Sequence, residues 1–221
     1  SAEGQQPGET AIHFDRAGNA TGAALRGREA ADRALESGAM AEAAYFLQLV
    51  VENVSDAALK AEATADLAGV LHMNREITRA NPLLELAASR LRLVGNNSRA
   101  LRMDIRRVEG LAELGAAPLS DLLDRLATIK SLSRISGDDE ALALALDSEL
   151  HLLHRSGKVA EIRALFDEIR VVAGSADPAA ACLANAALAL NVLFGDADEA
   201  LRCAREAVRI AEGRGRLLHS L

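Results

Sequence analysis

Tryptophan is absent from this 221-residue chain, tyrosine occurs once and phenylalanine four times. So few ring faces leave little with which to stack a sugar, a base or an aromatic ligand, and recognition of that kind is disfavoured. Residues that build sheets are scarce as well: 11 Val, 8 Ile and 5 Thr stand against 46 Ala and 35 Leu. β-branched and aromatic side chains cover a pleated face, whereas Ala and Leu head the helix-propensity scale. The balance predicts an all-α protein. The same shortage of aromatics argues against one large core. Small side chains suit many thin helix–helix interfaces in a row, so an α-α superhelix is expected rather than a globule.

Cysteine is nearly missing too. Cys182 and Cys203 lack Cys-x-x-Cys spacing, which excludes a disulfide scaffold, points to a reducing cytosolic compartment and leaves both as small buried hydrophobes. No apolar run approaches the roughly 18 residues that span a bilayer. Ser1 to Thr10 is polar and lacks the charged-then-apolar order of a secretory signal, and Ser1-Ala2 reads equally well as a cloning scar. A net charge of −7, from 25 basic and 32 acidic residues, argues against nucleic acid as a direct partner. Neither Gly-x-x-x-x-Gly-Lys-Ser/Thr nor Gly-x-Gly-x-x-Gly occurs, so no phosphate cradle is built and no cofactor is expected.

Glycine does the punctuating. Gly18, Gly38, Gly95, Gly115, Gly137, Gly157, Gly174, Gly195 and Gly213 fall between periodic apolar stretches, where a helix end wants a residue tolerant of positive φ. Between them the pattern predicts eleven helices, near 8–17, 20–37, 40–54, 56–73, 77–94, 97–114, 118–136, 138–156, 158–173, 178–194 and 197–213. In the last, Ala200, Leu201, Ala204, Ala207, Val208, Ile210 and Ala211 are expected on one face, with Arg202, Arg205, Glu206 and Arg209 on the other. Ser55-Asp56 and Ser136-Gly137-Asp138 offer N-caps, Asn81-Pro82 reads as an N-cap followed by Pro at the first helical position, and Pro118 and Pro178 sit near helix starts. Residues 1–8 read as a tail, 9–213 as one helical-repeat domain, and 214–221 as a cut end or the start of a further helix. The chain has the look of a piece of a longer protein, and an apolar face over Arg209 to Leu221 would allow a homodimer.

The turns repeat. Gly38-Ala39-Met40-Ala41-Glu42-Ala43, Gly157-Lys158-Val159-Ala160-Glu161-Ile162 and Gly195-Asp196-Ala197-Asp198-Glu199-Ala200 share Gly, then Glu and a small or apolar residue four and five positions on. The interval from Gly38 to Gly115 covers two units, and Gly115, Gly157 and Gly195 mark single ones, so each unit is a helical hairpin of about forty residues. Gly195-Asp196, Glu199-Ala200, Ala204 and Ala207 resemble the tetratricopeptide (TPR) pattern, whose start recurs at Gly38, Glu42 and Ala43. Gly69 and Gly110 resemble the small residue that the family places where two helices touch, and Ala43, Ala200 and Ala207 are expected at similar close approaches. The family's Trp and Tyr are missing, so the repeats are degenerate. Ile12-His13-Phe14-Asp15-Arg16-Ala17-Gly18-Asn19, followed by Ala23 to Leu35 and Gly38 to Leu47, is similar to the segment that opens the helical-repeat region of large bacterial regulators. In those proteins it follows an AAA-like or STAND-type ATPase module. The resemblance implies a non-catalytic protein-binding or sensor module of a cytosolic signalling or transcription regulator, with DNA reading done elsewhere.

Three groups of residues are candidates for chemistry. His151 and His154, with Asp147 and Glu149 upstream, are the nearest thing to a metal cluster, but they lack a further ligand at metal-site spacing; no metal is expected, and a metal-dependent hydrolase stands only as an alternative. From Arg90 to Arg107 there are six arginines and one acid, Asp104. Among them Arg99, Arg102 and Arg106 form one stripe, whose guanidinium forks suit carboxylates of a peptide or neighbouring domain. The bland alternative is a solvated face balanced by Glu109, Glu113 and acids of adjacent helices. Tyr45, Phe46, Phe14 and Phe166 read as core plugs, and His13 and His72 as residues at helix edges. A small-ligand sensor is the other reading kept open.

Overall fold

In the computed structural model, which describes residues 7–172 and 177–212, seven glycines hold left-handed φ between 59° and 81°: Gly18, Gly38, Gly95, Gly115, Gly137, Gly157 and Gly195. Gly174 and Gly213 lie outside the described residues, as do residues 1–6 and 214–221 with the tail, cut end and most of the pairing face expected there. At the glycine turns the next residue donates back to a carbonyl of the last helical turn, as from Ala39 to Ala34 at 2.8 Å and from Lys158 to Leu153 at 3.0 Å, which closes a Schellman-type end. One further turn is built the same way without glycine. Arg75 has φ 63°, and Glu76 donates to the Leu71 carbonyl at 2.9 Å. Arg75 takes the turn position midway through the two-unit interval between Gly38 and Gly115, where the other units carry glycine.

These eight turns, together with an extended link at Val54–Asp56, punctuate the eleven helices of the described residues, which fall in two units. Within residues 1–116 lie α1 (Pro7–Arg16), α2 (Ala20–Glu36), α3 (Met40–Asn53), α4 (Ala57–Met73), α5 (Ile77–Leu93) and α6 (Asn97–Glu113). Within residues 117–221 lie α7 (Leu119–Ser136), α8 (Asp139–Arg155), α9 (Val159–Val172), α10 (Asp177–Ala189) and α11 (Ala197–Glu212), with a π-helical turn at Leu190–Phe194 before Gly195. No strand occurs among the described residues. Asp56 and Asp138 cap α4 and α8 by accepting from the amides of Leu59 at 2.8 Å and Ala141 at 3.0 Å.

Packing within each unit follows a 38-residue period. Asp15 with Asn53, Arg28 with Asp66, Arg75 with Glu113, Lys130 with Glu168 and Asp147 with Asn185 all bond across 38 residues, so equivalent positions of neighbouring hairpins meet. Helix α4 is central to the first unit and is buried on most of its circumference, from Ala61 and Ala63 through Leu67, Ala68 and Leu71. Ala is what lets its neighbours in: Ala23, Ala31, Ala43, Ala80 and Ala87 are all fully buried. Helix α8 has the same place in the second unit, with Leu142, Leu146, Leu150 and Leu153 in its core.

Four expectations are corrected. Asn81-Pro82 does not start a helix: α5 begins at Ile77, Asn81 is buried, and Pro82 sits at the sixth position. Both Pro82 and Thr78 face solvent, so the carbonyl that loses its amide partner is wet. Tyr45 is exposed, edge-on to the buried Phe46 at 5.2 Å, so only Phe46 plugs the core there. Leu201 and Val208 are exposed; the buried stripe of α11 is Ala200, Cys203, Ala207 and Ile210. Gly69 meets only the far end of one side chain of a neighbouring helix, not its body. A methyl group on it would meet the Arg106 side chain, whereas one on Gly110 would run into the Asn81 Oδ1, a true close approach of α6 to α5.

Candidate functional site

Helices α2, α4 and α6 each present one stripe to a common groove in the first unit. On α4 the stripe is Leu59, Glu62, Asp66, Gly69 and Met73, recurring every three or four residues, so that helical periodicity alone puts them on one side. Arg28 comes from α2, and Arg99, Arg102 and Arg106 from α6. The groove has two adjoining chambers that share Arg28 and Glu62. One, of about 490 Å³, is bounded by Leu25, Val50, Val54 and Leu59; the other, of about 510 Å³, carries the charges. Leu25 and Leu59 are 58% and 60% exposed, unusual for leucines on facing helices.

The arginines differ from one another. Arg99 pairs with both Glu62 and Asp66, and Asp66 also binds Arg28, forming a ladder from α2 through α4 to α6. Asn96 caps α6 through its Oδ1 and donates to Glu62 at 2.8 Å. Burial, with repulsion from Arg28, Arg106 and Arg102, draws the Arg99 guanidinium below its ordinary pKa; arginine keeps its charge regardless. For Arg28, burial acts downward, but the hydrogen bond and charge of Asp66 outweigh it and the pKa rises. Arg102 donates to Ser98 Oγ at 3.0 Å. Arg106 lies over Gly69 on α4 and has no carboxylate at ion-pairing distance among the described residues. Four arginines against Glu62 and Asp66 leave the charged chamber net positive in a chain of net charge −7.

The rest of the arginine-rich stretch is tied down elsewhere. Arg90 donates to Thr64 Oγ1 at 2.7 Å, Arg92 pairs with Asp104, and Arg107 pairs with Glu85 at 2.8 Å. Glu113 pairs with Arg75 at 2.6 Å and Glu109 lies 3.6 Å from His72, while Glu62 and Asp66, acids of the adjacent α4, balance Arg99. Sequence reasoning missed Arg28, Glu62, Asp66, Leu25 and Leu59. Arg28 and Asp66 stand one 38-residue period apart, a signal that becomes readable once the period is known.

In the second unit His151 and His154 line a smaller cavity of about 250 Å³ with Leu188 and Val192. The Asp147 carboxylate accepts from Asn185 at 2.8 Å and lies 3.6 Å from His151 Nδ1, while Glu149 turns to Lys130 at 2.5 Å. Among the described residues no group of three or more His, Cys, Asp or Glu is placed to hold a metal ion. Cys182 and Cys203 are buried thiols, and burial raises the pKa of both, which makes them poor nucleophiles. No described helix is long and apolar enough to cross a membrane.

No protein-family model and no curated protein matches the chain. Solved structures do. BtubC (BKLC) from P. vanneervenii superposes with a TM-score of 0.64 at 13% identity, over 100% of this chain and 98% of that one. A kinesin-light-chain-type protein of Podosopora anserina with nearly identical TPR-like repeats gives a TM-score of 0.60 at 17% identity, over 85% of this chain and 95% of its own. A single-substitution variant of that protein gives 0.61 at 15% identity, over 96% and 99%. The fold is a TPR-like helical repeat. TPR-like solenoids of stacked hairpins present grooves lined by alternate helices, an architecture consistent with a protein–protein interaction module.

Proposed function

We propose that the groove of α2, α4 and α6 holds a segment of a partner protein, or of another domain of the same parent chain, that carries acidic side chains. The supporting observation is the net positive chamber in an acidic chain, set beside an apolar one: charge recruits the segment, and Leu25 and Leu59 give an aliphatic side chain somewhere to bury. The helical repeats of residues 9–213 then act as a non-catalytic interaction module. The similarity of Ile12 to Asn19 to the opening of regulator repeat regions supports a place in a cytosolic bacterial signalling or transcription regulator, where an occupied groove would bias an attached effector.

Fluorescence anisotropy with labelled peptides tests this. A peptide combining Leu with a run of Glu is expected to bind saturably and more weakly as salt rises, while its Gln and Lys counterparts do not bind. Equal binding of all three peptides, or of none, would sink the proposal. A small apolar ligand is the second reading, favoured by the size of the Leu25, Val54 and Leu59 chamber, which falls in the range of ligand sites. Substituting Leu59→Ser would abolish binding of such a ligand, whereas replacing Arg106 would leave it unchanged.

A further inference from the structure

The arginines that look alike in sequence are placed in different chemical states, and the difference assigns them different work. Arg28 and Arg99 already have carboxylates: Asp66 is shared between them, and Glu62 takes the other side of Arg99. A partner carboxylate approaching either must displace an existing charge-assisted bond, so the net gain is small. Arg106 has no such competitor among the described residues. Its guanidinium is held across the face of α4 because Gly69 has no side chain there: a methyl group at that position would stand 2.7 Å from Nη1 and 3.9 Å from Cζ. The clash would be with the far end of a flexible side chain, not with backbone, so the gap at Gly69 serves the seating of Arg106 more than the packing of α4 on α6. Gly110, whose added methyl group would meet the buried Asn81, shows what a packing glycine looks like, at the contact of α6 with α5.

Resting on the groove reading above, we propose that Arg106, seated over Gly69, is the residue that takes a partner's side-chain carboxylate, with Gly69 its positioning residue and Arg28 and Arg99 structural ties. One guanidinium fork matches one carboxylate in bidentate fashion. Glu62 and Asp66 line the same chamber and repel a phosphate dianion more strongly than a singly charged carboxylate, and a polyanionic backbone needs several unshared cations along its track. The ladder through Asp66 and Glu62 holds α2, α4 and α6 in register and so keeps the Gly69 seat formed.

The test follows side-chain Nε–Hε resonances of the full chain labelled with ¹⁵N-arginine, assigned through single Arg→Lys variants. The probes are acetyl-Glu-Glu-amide, acetyl-Gln-Gln-amide and inorganic phosphate, each taken to tens of millimolar. The Arg106 resonance is expected to shift saturably with the Glu probe alone, with Arg28 and Arg99 unmoved. Gly69→Ala should weaken that response about tenfold or more, the loss of one charge-assisted contact, while leaving the circular dichroism spectrum and melting temperature close to wild type. By fluorescence anisotropy with the labelled Leu–Glu peptide, a Gly69→Ala, Arg106→Lys double variant should bind no more weakly than Arg106→Lys alone, because both act through one contact. A first response at Arg28 or Arg99, or an unchanged response in Gly69→Ala, would overturn the assignment and leave the groove reading intact. Phosphate binding at Arg106 as tight as the Glu probe would overturn the carboxylate class. If no arginine resonance answers the Glu probe, the groove reading falls as well.

Discussion

Lys130 is the least exposed cation described in the second unit, and removing it isolates what a buried ion pair does in a stack of helices. Its side chain is 10% exposed on α7, with the ammonium 2.5 Å from Glu149 of α8 and 3.3 Å from Glu168 of α9, so one charge ties three helices. Glu168 is well exposed and has Arg134 at 2.7 Å in reserve; Glu149 is 18% exposed and has no second cation among the described residues. Lys130→Met keeps most of the apolar stem and deletes the charge, leaving Glu149 uncompensated. Breaking a buried pair from one side costs about 3–5 kcal/mol, and the partial exposure of both acids puts this case near the lower end, about 3 kcal/mol. Lys130→Ala also loses about three buried methylenes at about 0.8 kcal/mol each, for about 5 kcal/mol in all. Lys130→Met with Glu149→Gln removes both charges and should return to within about 1 kcal/mol of wild type. Urea unfolding followed by far-UV circular dichroism reads all three, since the chain has no tryptophan to report by fluorescence. If Lys130→Met costs less than about 1 kcal/mol, the pair is not desolvated and the argument fails. If the double variant is as unstable as the single one, the loss is one of shape and not of charge.

Other outcomes follow from single positions. Arg75→Gly should stabilise the first unit by up to about 1 kcal/mol, because relief of left-handed strain exceeds the loss of an exposed pair with Glu113; a lowered urea midpoint would refute this. Gly110→Ala forces a methyl group against the buried Asn81 and should cost about 1–3 kcal/mol, whereas Gly69→Ala should cost well under about 1 kcal/mol; equal losses would contradict the distinction between the two glycines. His72 is held below its ordinary pKa by burial, opposed by Glu109, reinforced by Arg106, opposed by Glu113 and reinforced by Arg75. The unfolded chain therefore takes up the proton first, so this residue's contribution is intact above about pH 6.5 and declines as pH falls below it. His72→Gln should flatten that part of the stability profile between neutral and mildly acidic pH, and an unchanged slope would show that His72 is not responsible.

Much of the fold was legible because helix ends in this chain are written in glycine. Where glycine is replaced the signal vanishes: Arg75 closes its turn by the same backbone bonds, yet neither it nor Arg79, four residues on, matches the Gly and Glu of the other turns. Only Ala80, fully buried like Ala43 and Ile162 at the equivalent position, keeps the pattern there. Pro82 misled for a related reason, since a proline on the wet face of a helix costs a bond that water replaces. The arginine stripe on α6 was visible as spacing. Its partition into tied and open members was not, because Glu62 and Asp66 lie a full repeat away in sequence.

That the chain is helical, that it is built of repeated hairpins near forty residues long, and that small residues line the contacts could all be read from the order of its residues. Those properties are local: propensity, turn chemistry and periodicity act over a few residues at a time. Which Ala and Gly positions meet, that paired side chains stand 38 residues apart, and that Arg106 lies over Gly69 while Arg99 is held by two carboxylates emerge only from the packed helices. A charge acquires its role from what stands within a few ångströms of it, and in a stacked helical repeat those neighbours come from the hairpins before and after.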